Sequence, residues 1–157
     1  MRYIELDTPA LLIDRERLTK NLKDMQSYAD AHGVALRPHT KTHKCPEIAK
    51  MQLAAGACGI AVAKVGEAEV MAEAGLDDLF IANEIVGEAK LRRIAALAKR
   101  GVKLAFGVDM PCQVTAAESV FAQEGVSVPV LVEIEVGENR SGVIEEADFL
   151  ALLDTIR

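Results

Sequence analysis

The sequence contains no tryptophan, only two tyrosines and four phenylalanines, and no apolar run long enough to cross a membrane. Its first seven residues are mixed and charged, unlike those of a signal peptide. The three cysteines are widely spaced and form no CxxC pair, which excludes a disulfide-rich scaffold and favours free thiols in a reduced compartment. We therefore expect a cytoplasmic protein without a membrane partner.

An excess of positive charge is also missing. The chain has 18 Lys and Arg against 24 Asp and Glu, a net charge of −6, and its basic residues do not gather along one stretch. This balance excludes a nucleic-acid partner. Half of the 157 residues are apolar and 27% are charged, which is typical of one ordinary globular domain with a hydrophobic core.

What is present is a regular alternation of short apolar segments with helical periodicity. The apolar segments predict strands at residues 10–13, 34–41, 59–63, 79–82, 103–108 and 128–136. The periodic stretches predict helices at residues 15–32, 46–55, 67–74, 87–100, 111–124 and 145–156. Strands that are apolar along their whole length are typical of a parallel sheet buried on both faces. The pattern therefore predicts successive βα units.

These units predict an α/β fold: a partial (β/α)8 TIM barrel of about five βα units, preceded by one N-terminal strand. A doubly wound sheet is the structural rival, since periodicity alone does not exclude it. A complete barrel needs eight strands and about 250 residues. The sequence reaches Arg157 inside a predicted helix. We expect either an open five-stranded sheet or the first part of a longer protein.

The run Arg-Pro-His-Thr-Lys-Thr-His-Lys at residues 37–44 carries the most chemistry. Because side chains alternate along a strand, His39, Lys41 and His43 are expected to share one face. Neighbouring groups that can become cationic would favour a neutral Lys41 amine, the form that attacks a carbonyl and makes a Schiff base. The alternatives are a solvated basic loop, or a metal site with Cys45, which ranks lower because such ligands would point apart along the strand.

Other polar residues follow the predicted strands. Arg140 lies in a glycine-flanked turn at residues 135–142, where it would either hold an oxygen anion or remain solvated. Lys64 and Asn83 each come directly after an apolar strand and would line the mouth of a barrel. Asp109, which precedes Pro111, is predicted to cap a helix.

Arg37, Lys41 and Lys44 also form a local basic cluster in the sequence. The cluster is too small for a groove that follows a nucleic-acid backbone. It is suited to one small anion.

Residues 8–14, 37–44 and 135–142 together resemble the N-terminal half of D-threonine aldolases and eukaryotic-type D-serine dehydratases. These enzymes belong to the alanine-racemase-like, fold type III, pyridoxal-phosphate enzymes. The Arg-Pro-His-x-Lys-Thr-His-Lys run is the most specific of the three motifs, and the resemblance extends over the whole chain in order.

The resemblance implies a barrel with pyridoxal 5′-phosphate at its mouth, bound through Lys41. It implies that Arg140 lies near the phenolic oxygen of the cofactor and that His39 belongs to the cofactor site, with His43, Lys64 and Asn83 lining the mouth. The implied activity is cleavage of β-hydroxy-D-amino acids, as of D-threonine to glycine and acetaldehyde. Alternatives are D-serine dehydration (an ammonia-lyase reaction), 3-hydroxy-D-aspartate cleavage, or cofactor binding without catalysis.

The resemblance also implies that residues 1–157 are only the N-terminal part of a longer enzyme. The second half of the barrel and a C-terminal β domain would follow, and that domain would carry the ligands of a divalent metal, so no metal ligand is expected here. The predicted strand 10–13 would pair with it. The full-length protein is expected to be a homodimer acting on a small D-amino acid, and residues 1–157 alone to be inactive.

Overall fold

A computed structural model describes residues 2–157 and contains one parallel sheet. Its strands are β1 (Ile60–Val62), β2 (Asp78–Glu84), β3 (Lys103–Val108) and β4 (Val130–Val132). Each strand pairs in parallel with the next one along the chain, in the order β1-β2-β3-β4. Because the order never reverses, the described sheet has no switch point of the doubly wound kind. The predicted partial barrel is confirmed, and the doubly wound alternative is wrong.

Six helices follow or precede these strands: α1 (Arg15–Ala31), α2 (Pro46–Ala55), α3 (Val65–Glu73), α4 (Glu88–Lys99), α5 (Pro111–Glu124) and α6 (Glu146–Ile156). Local chemistry sets several of their ends. The Asp14 carboxylate accepts a hydrogen bond from the Arg17 amide at 3.0 Å and caps α1. Pro46 and Pro111 occupy the first turns of α2 and α5, where a missing amide hydrogen costs nothing. No described helix combines the length and apolarity that a membrane crossing needs.

The hydrophobic core lies between the sheet and its helices. Ile60, Ile81 and Phe106 from three neighbouring strands are completely buried, and Leu91 and Ile94 of α4 pack against them. The opposite face of the sheet is less well covered: Leu131 in β4 remains 48% exposed. In a closed barrel that second face is the interior. Among the described residues, the helix-facing side of the sheet is therefore buried, whereas the side that faces the interior in a closed barrel is covered only in part.

The predicted N-terminal strand at residues 10–13 is wrong for the described chain. These residues have no regular secondary structure, and Leu11 is fully exposed, at 100%. A strand is stable only when its backbone groups pair with another strand. Within residues 2–157 no such partner adjoins this segment, so its apolar side chains face outward.

The predicted strand at residues 34–41 is correct only in part. The Ala61 amide donates to the Pro38 carbonyl at 2.8 Å and His39 bridges Ala61 in parallel, so the segment runs beside β1 as an irregular edge. A 3-10 turn, Thr40–Thr42, then ends it. The chain changes direction at this turn, and α2 begins shortly after it, at Pro46. The predicted strand 128–136 is likewise shorter than expected, since the chain leaves the sheet after β4.

Candidate active site

The predicted site residues lie at one end of the sheet, where the parallel strands have their carboxyl ends. We call this end the mouth. Lys41 follows the edge segment beside β1, Lys64 follows β1, Asn83 lies near the end of β2, and Arg140 is in the loop after β4. In (β/α)8 barrels this end carries the active site. The topology therefore brings residues that are far apart in sequence to one side of the molecule.

Lys41 lies in a tightly fixed turn, residues 39–45, which we call the Lys41 turn. Thr40 is only 1% exposed, and its hydroxyl donates to the Ala61 carbonyl at 3.2 Å. The Lys41 amide donates to Nδ1 of His39 at 3.3 Å. Within residues 2–157 the Lys41 side chain is exposed, and its Nζ makes no hydrogen bond or ion pair. The turn thus fixes the backbone of this lysine while its amine stays accessible.

The expectation that His39, Lys41 and His43 share one strand face is wrong. The 3-10 turn interrupts the strand at Thr40, so the alternation of side chains does not continue to His43. Burial lowers the pKa of His39, and the neighbouring Lys41 charge lowers it further. Burial also lowers the pKa of His43. Both imidazoles are therefore mostly neutral near pH 7.

His43 is engaged with helix α2. Its Nδ1 accepts a hydrogen bond from the Cys45 amide at 3.1 Å, which leaves the proton on Nε2. That nitrogen is buried and has no hydrogen-bond partner among the described residues, and neither has Gln52 Oε1 of α2. The bond from the Cys45 amide fixes the ring of His43 at the start of α2. The mouth-lining role of His43 stays a prediction.

The basic cluster predicted from Arg37, Lys41 and Lys44 does not form. Arg37 Nη1 pairs with Asp78 Oδ1 at 2.7 Å, at the amino end of β2 and away from the mouth. The guanidinium lies so close to Gly59 that a Cβ there would be 2.1 Å from Nη1. Lys44 is also paired, through its Nζ, with Glu67. Two of the three charges are therefore paired with separate carboxylates, and the three do not surround one anion.

Lys64 and Asn83 both lie at the end of β1. Asn83 Nδ2 donates to the Ala63 carbonyl at 3.3 Å, and Glu67 Oε2 accepts from the Ala63 amide at 2.8 Å. Burial acts to raise the pKa of Glu67, but the Ala63 amide and Lys44 outweigh it, and the pKa lies below its usual value. Lys64 adds its charge to the same effect. The amide and the carbonyl of Ala63 are therefore both hydrogen-bonded to side chains.

Arg140 belongs to a loop, residues 133–143, which we call the Arg140 loop. The Glu135 carboxylate accepts hydrogen bonds from the amides of Gly137 and Arg140, the latter at 3.1 Å. These and neighbouring amides lower the pKa of Glu135. The Arg140 side chain is 64% exposed, and its guanidinium has one weak ion pair, with Glu138 at 3.8 Å. The backbone of the loop is ordered, and the guanidinium is available.

Three carboxyl groups lie at the mouth, and the sequence analysis assigned a role to only one of them, Asp109, as a helix cap. Glu84, Asp109 and Glu133 end or follow β2, β3 and β4. Glu133 Oε1 accepts from the Ser141 hydroxyl at 2.6 Å. A hydrogen bond to Glu133, together with burial, raises the pKa of Glu84, while the same bond lowers that of Glu133. As the pH falls, Glu84 is therefore the first of the two to take up a proton. A carboxylate after each of three apolar strands was the available signal.

The predicted cap role of Asp109 is wrong. Its Oδ1 accepts from Gln113 Nε2 at 2.8 Å, and its Oδ2 accepts from the Gly142 amide at 3.1 Å. Asp109 therefore ties the Arg140 loop to the end of β3 instead of capping α5.

The structure brings some of the predicted residues together and separates others. His39 contacts the Lys41 backbone, and Asn83 contacts the peptide next to Lys64. Arg140 and Lys41 lie beyond opposite edges of the sheet, and within residues 2–157 no contact joins them. In this same part of the chain, no group of three or more His, Cys, Asp or Glu side chains is arranged to hold a metal ion, so His39, His43 and Cys45 do not form the alternative metal site.

Comparison with known proteins finds relatives along nearly the whole chain. The D-threonine aldolase of an Arthrobacter species is 46% identical over 152 residues, which are 97% of this chain and 40% of that protein. The D-threo-3-hydroxyaspartate dehydratase of a Delftia species is 39% identical over 140 residues, which are 89% of this chain and 37% of that protein. The chain thus spans about two fifths of the length of the curated relatives that it matches.

The solved structures agree with the sequence matches. The crystal structure of D-threonine aldolase from Filomicrobium marinum superposes with a TM-score of 0.91 at 42% identity, over 95% of this chain and 40% of that one. The family described as "Alanine racemase, N-terminal domain" matches residues 13–157. Since this match includes nearly every described residue, the chain belongs to the alanine racemase N-terminal domain family.

Proposed function

We propose that this chain is the N-terminal, cofactor-holding part of a pyridoxal-phosphate-dependent aldolase that cleaves β-hydroxy-D-amino acids, with D-threonine giving glycine and acetaldehyde. The Lys41 turn carries the proposal. It presents an unpaired amine at the mouth of a partial barrel, on a backbone fixed by the buried Thr40 hydroxyl. The similarity to a D-threonine aldolase along 97% of the chain supports the choice of reaction.

The donor groups at the mouth fit part of this cofactor. An exposed amine at Lys41 suits an aldehyde, and the exposed guanidinium of Arg140 suits a phenolic oxygen. When bound, pyridoxal phosphate supplies an electron sink for negative charge at the α-carbon of an amino acid. The groups that would hold its phosphate and its ring nitrogen are proposed to lie in a later part of the polypeptide.

Each residue at the mouth then has a proposed task. Lys41 anchors the cofactor, and His39, neutral and hydrogen-bonded to the Lys41 amide, fixes the direction in which the lysine leaves the turn. Arg140 binds the phenolic oxygen through its fork of donors. Lys64, Asn83 and His43 line the mouth beside the substrate. The raised pKa of Glu84 favours its neutral form, which would reduce the negative charge close to this site.

Because the chain covers about two fifths of its relatives, we propose that it continues in a longer polypeptide with the rest of the barrel and a β domain. That part would supply the ligands of a divalent metal. The complete protein is proposed to be a cytoplasmic homodimer, and residues 1–157 alone to be inactive.

Dehydration is the second candidate function. It is favoured by the 39% identity to a D-threo-3-hydroxyaspartate dehydratase over 140 residues. The two reactions break different bonds: aldol cleavage breaks Cα–Cβ, whereas dehydration removes the α-proton and the β-hydroxyl. They therefore differ in products, glycine and an aldehyde against an oxo acid and ammonia. Cleavage of 3-hydroxy-D-aspartate keeps the first mechanism and changes the substrate.

The test is a product assay on the full-length protein loaded with pyridoxal phosphate and a divalent cation. With D-threonine we expect glycine and acetaldehyde, and none from Lys41→Ala. Lys50→Ala is the matched control, because Lys50 is exposed on α2 and pairs only with Glu47, at 3.4 Å. Oxo acid and ammonia as the main products would replace the aldolase by the dehydratase. Undiminished turnover by Lys41→Ala would refute the assignment of the anchor.

A further inference from the structure

A buried carboxylate lies behind the Lys41 turn. Glu67, in the first turn of α3, is only 8% exposed. Its two oxygens contact two different segments: Oε2 accepts from the Ala63 amide at the end of β1, at 2.8 Å, and Oε1 pairs with Nζ of Lys44, in the Lys41 turn, at 3.3 Å. One side chain thus connects β1, α3 and the Lys41 turn.

Helix capping accounts for only half of this arrangement. A glutamate in the first turn commonly reaches back to an amide just before its helix, as Glu67 does to Ala63. Capping alone would leave the other oxygen to water. Here that oxygen is occupied by Lys44, which is 23 positions earlier in the chain and whose side chain is otherwise 62% exposed. The second contact needs a separate explanation.

The residue that Glu67 holds has an unusual backbone. Lys44 has φ of +49°, a left-handed conformation that residues other than glycine seldom adopt. Its amide donates to the Thr40 carbonyl at 2.8 Å, which closes the turn around Lys41. The ion pair draws the Lys44 side chain towards α3 and so favours this conformation. A break of the pair would loosen the turn that carries Lys41.

The charge of Glu67 also reaches the neighbourhood of Lys41. Burial and the Lys41 charge lower the pKa of His39, and the negative charge of Glu67 acts against both. Lys41 and Glu67 are the two charged side chains that act on the pKa of His39. Lys44 and Lys64 are the positive charges that lower the pKa of Glu67. Glu67 is therefore the negative charge that these basic groups share.

We propose that Glu67 is a positioning residue for Lys41, which holds the Lys41 turn through Lys44 and balances the positive charge around it. The effect on the bound cofactor rests on the proposed function. The effect on the turn and on His39 does not, since it requires only the residues described.

The test compares Glu67→Gln with Glu69→Gln in the full-length protein. Glutamine at 67 keeps an oxygen for the Ala63 amide and loses the charge. Glu69 is the matched control, because it lies on the same helix and is paired with an arginine, Arg93, on the outer side of α4. In the cofactor-free protein, NMR titration of His39 should show a lower pKa in Glu67→Gln than in the wild type, and no change in Glu69→Gln.

A second measurement follows the cofactor. In the loaded protein, Glu67→Gln should release pyridoxal phosphate several-fold faster, and the visible absorption band of the lysine-bound cofactor should titrate at lower pH, with neither change in Glu69→Gln. Lys44→Met breaks the same ion pair from an exposed position and should also speed the release. It guards against a Glu67 variant that does not fold.

The outcomes separate this inference from the proposed function. If His39 titrates alike in the wild type, Glu67→Gln and Glu69→Gln, Glu67 is only a helix cap and the inference is overturned. If His39 shifts as expected but the wild type takes up no pyridoxal phosphate at Lys41, the positioning role stands and the proposed function fails.

Discussion

The Lys41 turn and the Arg140 loop lie at the same end of the sheet but are built differently. The Lys41 turn is held by contacts with distant parts of the chain, since Thr40 bonds to β1 and Lys44 pairs with α3. The Arg140 loop is held mostly by itself, through the Glu135 carboxylate and its own amides. Distant parts of the chain therefore fix the proposed anchor, whereas the position of Arg140 depends mainly on bonds within its own loop and on one bond from the Gly142 amide to Asp109.

The largest expected effect is the loss of the Arg140 loop in Gly142→Ala. Gly142 has φ of +103°, and a Cβ there would lie 2.5 Å from the Glu135 amide nitrogen. The loop must open, and we expect unfolding in urea to become easier by about 2–3 kcal/mol. Gly137→Ala is the control, because it has φ of +122° but no atom within 4 Å of the added Cβ. Equal losses in the two variants would show that the positive φ, and not the close approach, determines the loss of stability.

On the other side of the comparison, Thr40→Val should weaken the Lys41 turn. Valine has nearly the same shape but cannot donate to the Ala61 carbonyl, so a buried hydrogen bond is lost. We expect a loss of about 1–2 kcal/mol in the free energy of unfolding, measured by urea denaturation. Thr40→Ser retains the hydroxyl and should recover most of this loss. If Thr40→Ser were the more destabilising change and Thr40→Val nearly neutral, methyl packing rather than the hydrogen bond would hold the turn.

The carboxyl pair predicts a pH dependence. The pKa of Glu84 is raised above its ordinary value of 4.5, so its stabilising contribution is present below about pH 4.5 and is lost as pH rises through the folded-state pKa. Glu133, with a lowered pKa, contributes in the opposite sense, above that pH. Glu84→Gln should therefore raise the melting temperature at pH 7 and have little effect at pH 4.

The melting curves need one control and one criterion. Glu118→Gln, which changes an exposed carboxylate on α5, is the control for the loss of one surface charge. A gain from Glu84→Gln that is equal at pH 4 and pH 7 would contradict the raised pKa of Glu84.

The smallest expected effect on stability is that of Arg140→Ala. Its guanidinium is exposed and has one ion pair, 3.8 Å long, so the free energy of unfolding should change by less than about 0.5 kcal/mol. The same change should nevertheless weaken retention of pyridoxal phosphate, measured by dialysis, if Arg140 binds the phenolic oxygen. Unchanged retention would remove Arg140 from the proposed site without affecting Lys41.

Features set by local sequence were predictable. The apolar runs identified β1, β2 and β3, and Asp14, Pro46 and Pro111 marked helix starts, because capping depends on neighbours along the chain. The residue patterns made Lys41 and Arg140 candidates, and the family resemblance then gave each of them a role. Their placement at the mouth was predictable from the βα order.

Features set by distant partners were not predictable. Arg37 appeared to join the basic run, but it pairs with Asp78, 41 positions away. The strand alternation past His39 failed because the chain turns where the Thr40 hydroxyl meets β1. The opposite pKa shifts of Glu84 and Glu133 could be predicted only by knowing which strands are neighbours. In each case a long-range contact overrode the local pattern.

The most direct test of the central claim is to locate the cofactor on the chain. The full-length protein is incubated with pyridoxal phosphate, reduced with borohydride to fix the cofactor covalently, digested and analysed by mass spectrometry. Attachment to Lys41 alone is the predicted result. Attachment to Lys44 or Lys64 in its place, or spread over several surface lysines, would contradict the assignment of Lys41 as the anchor.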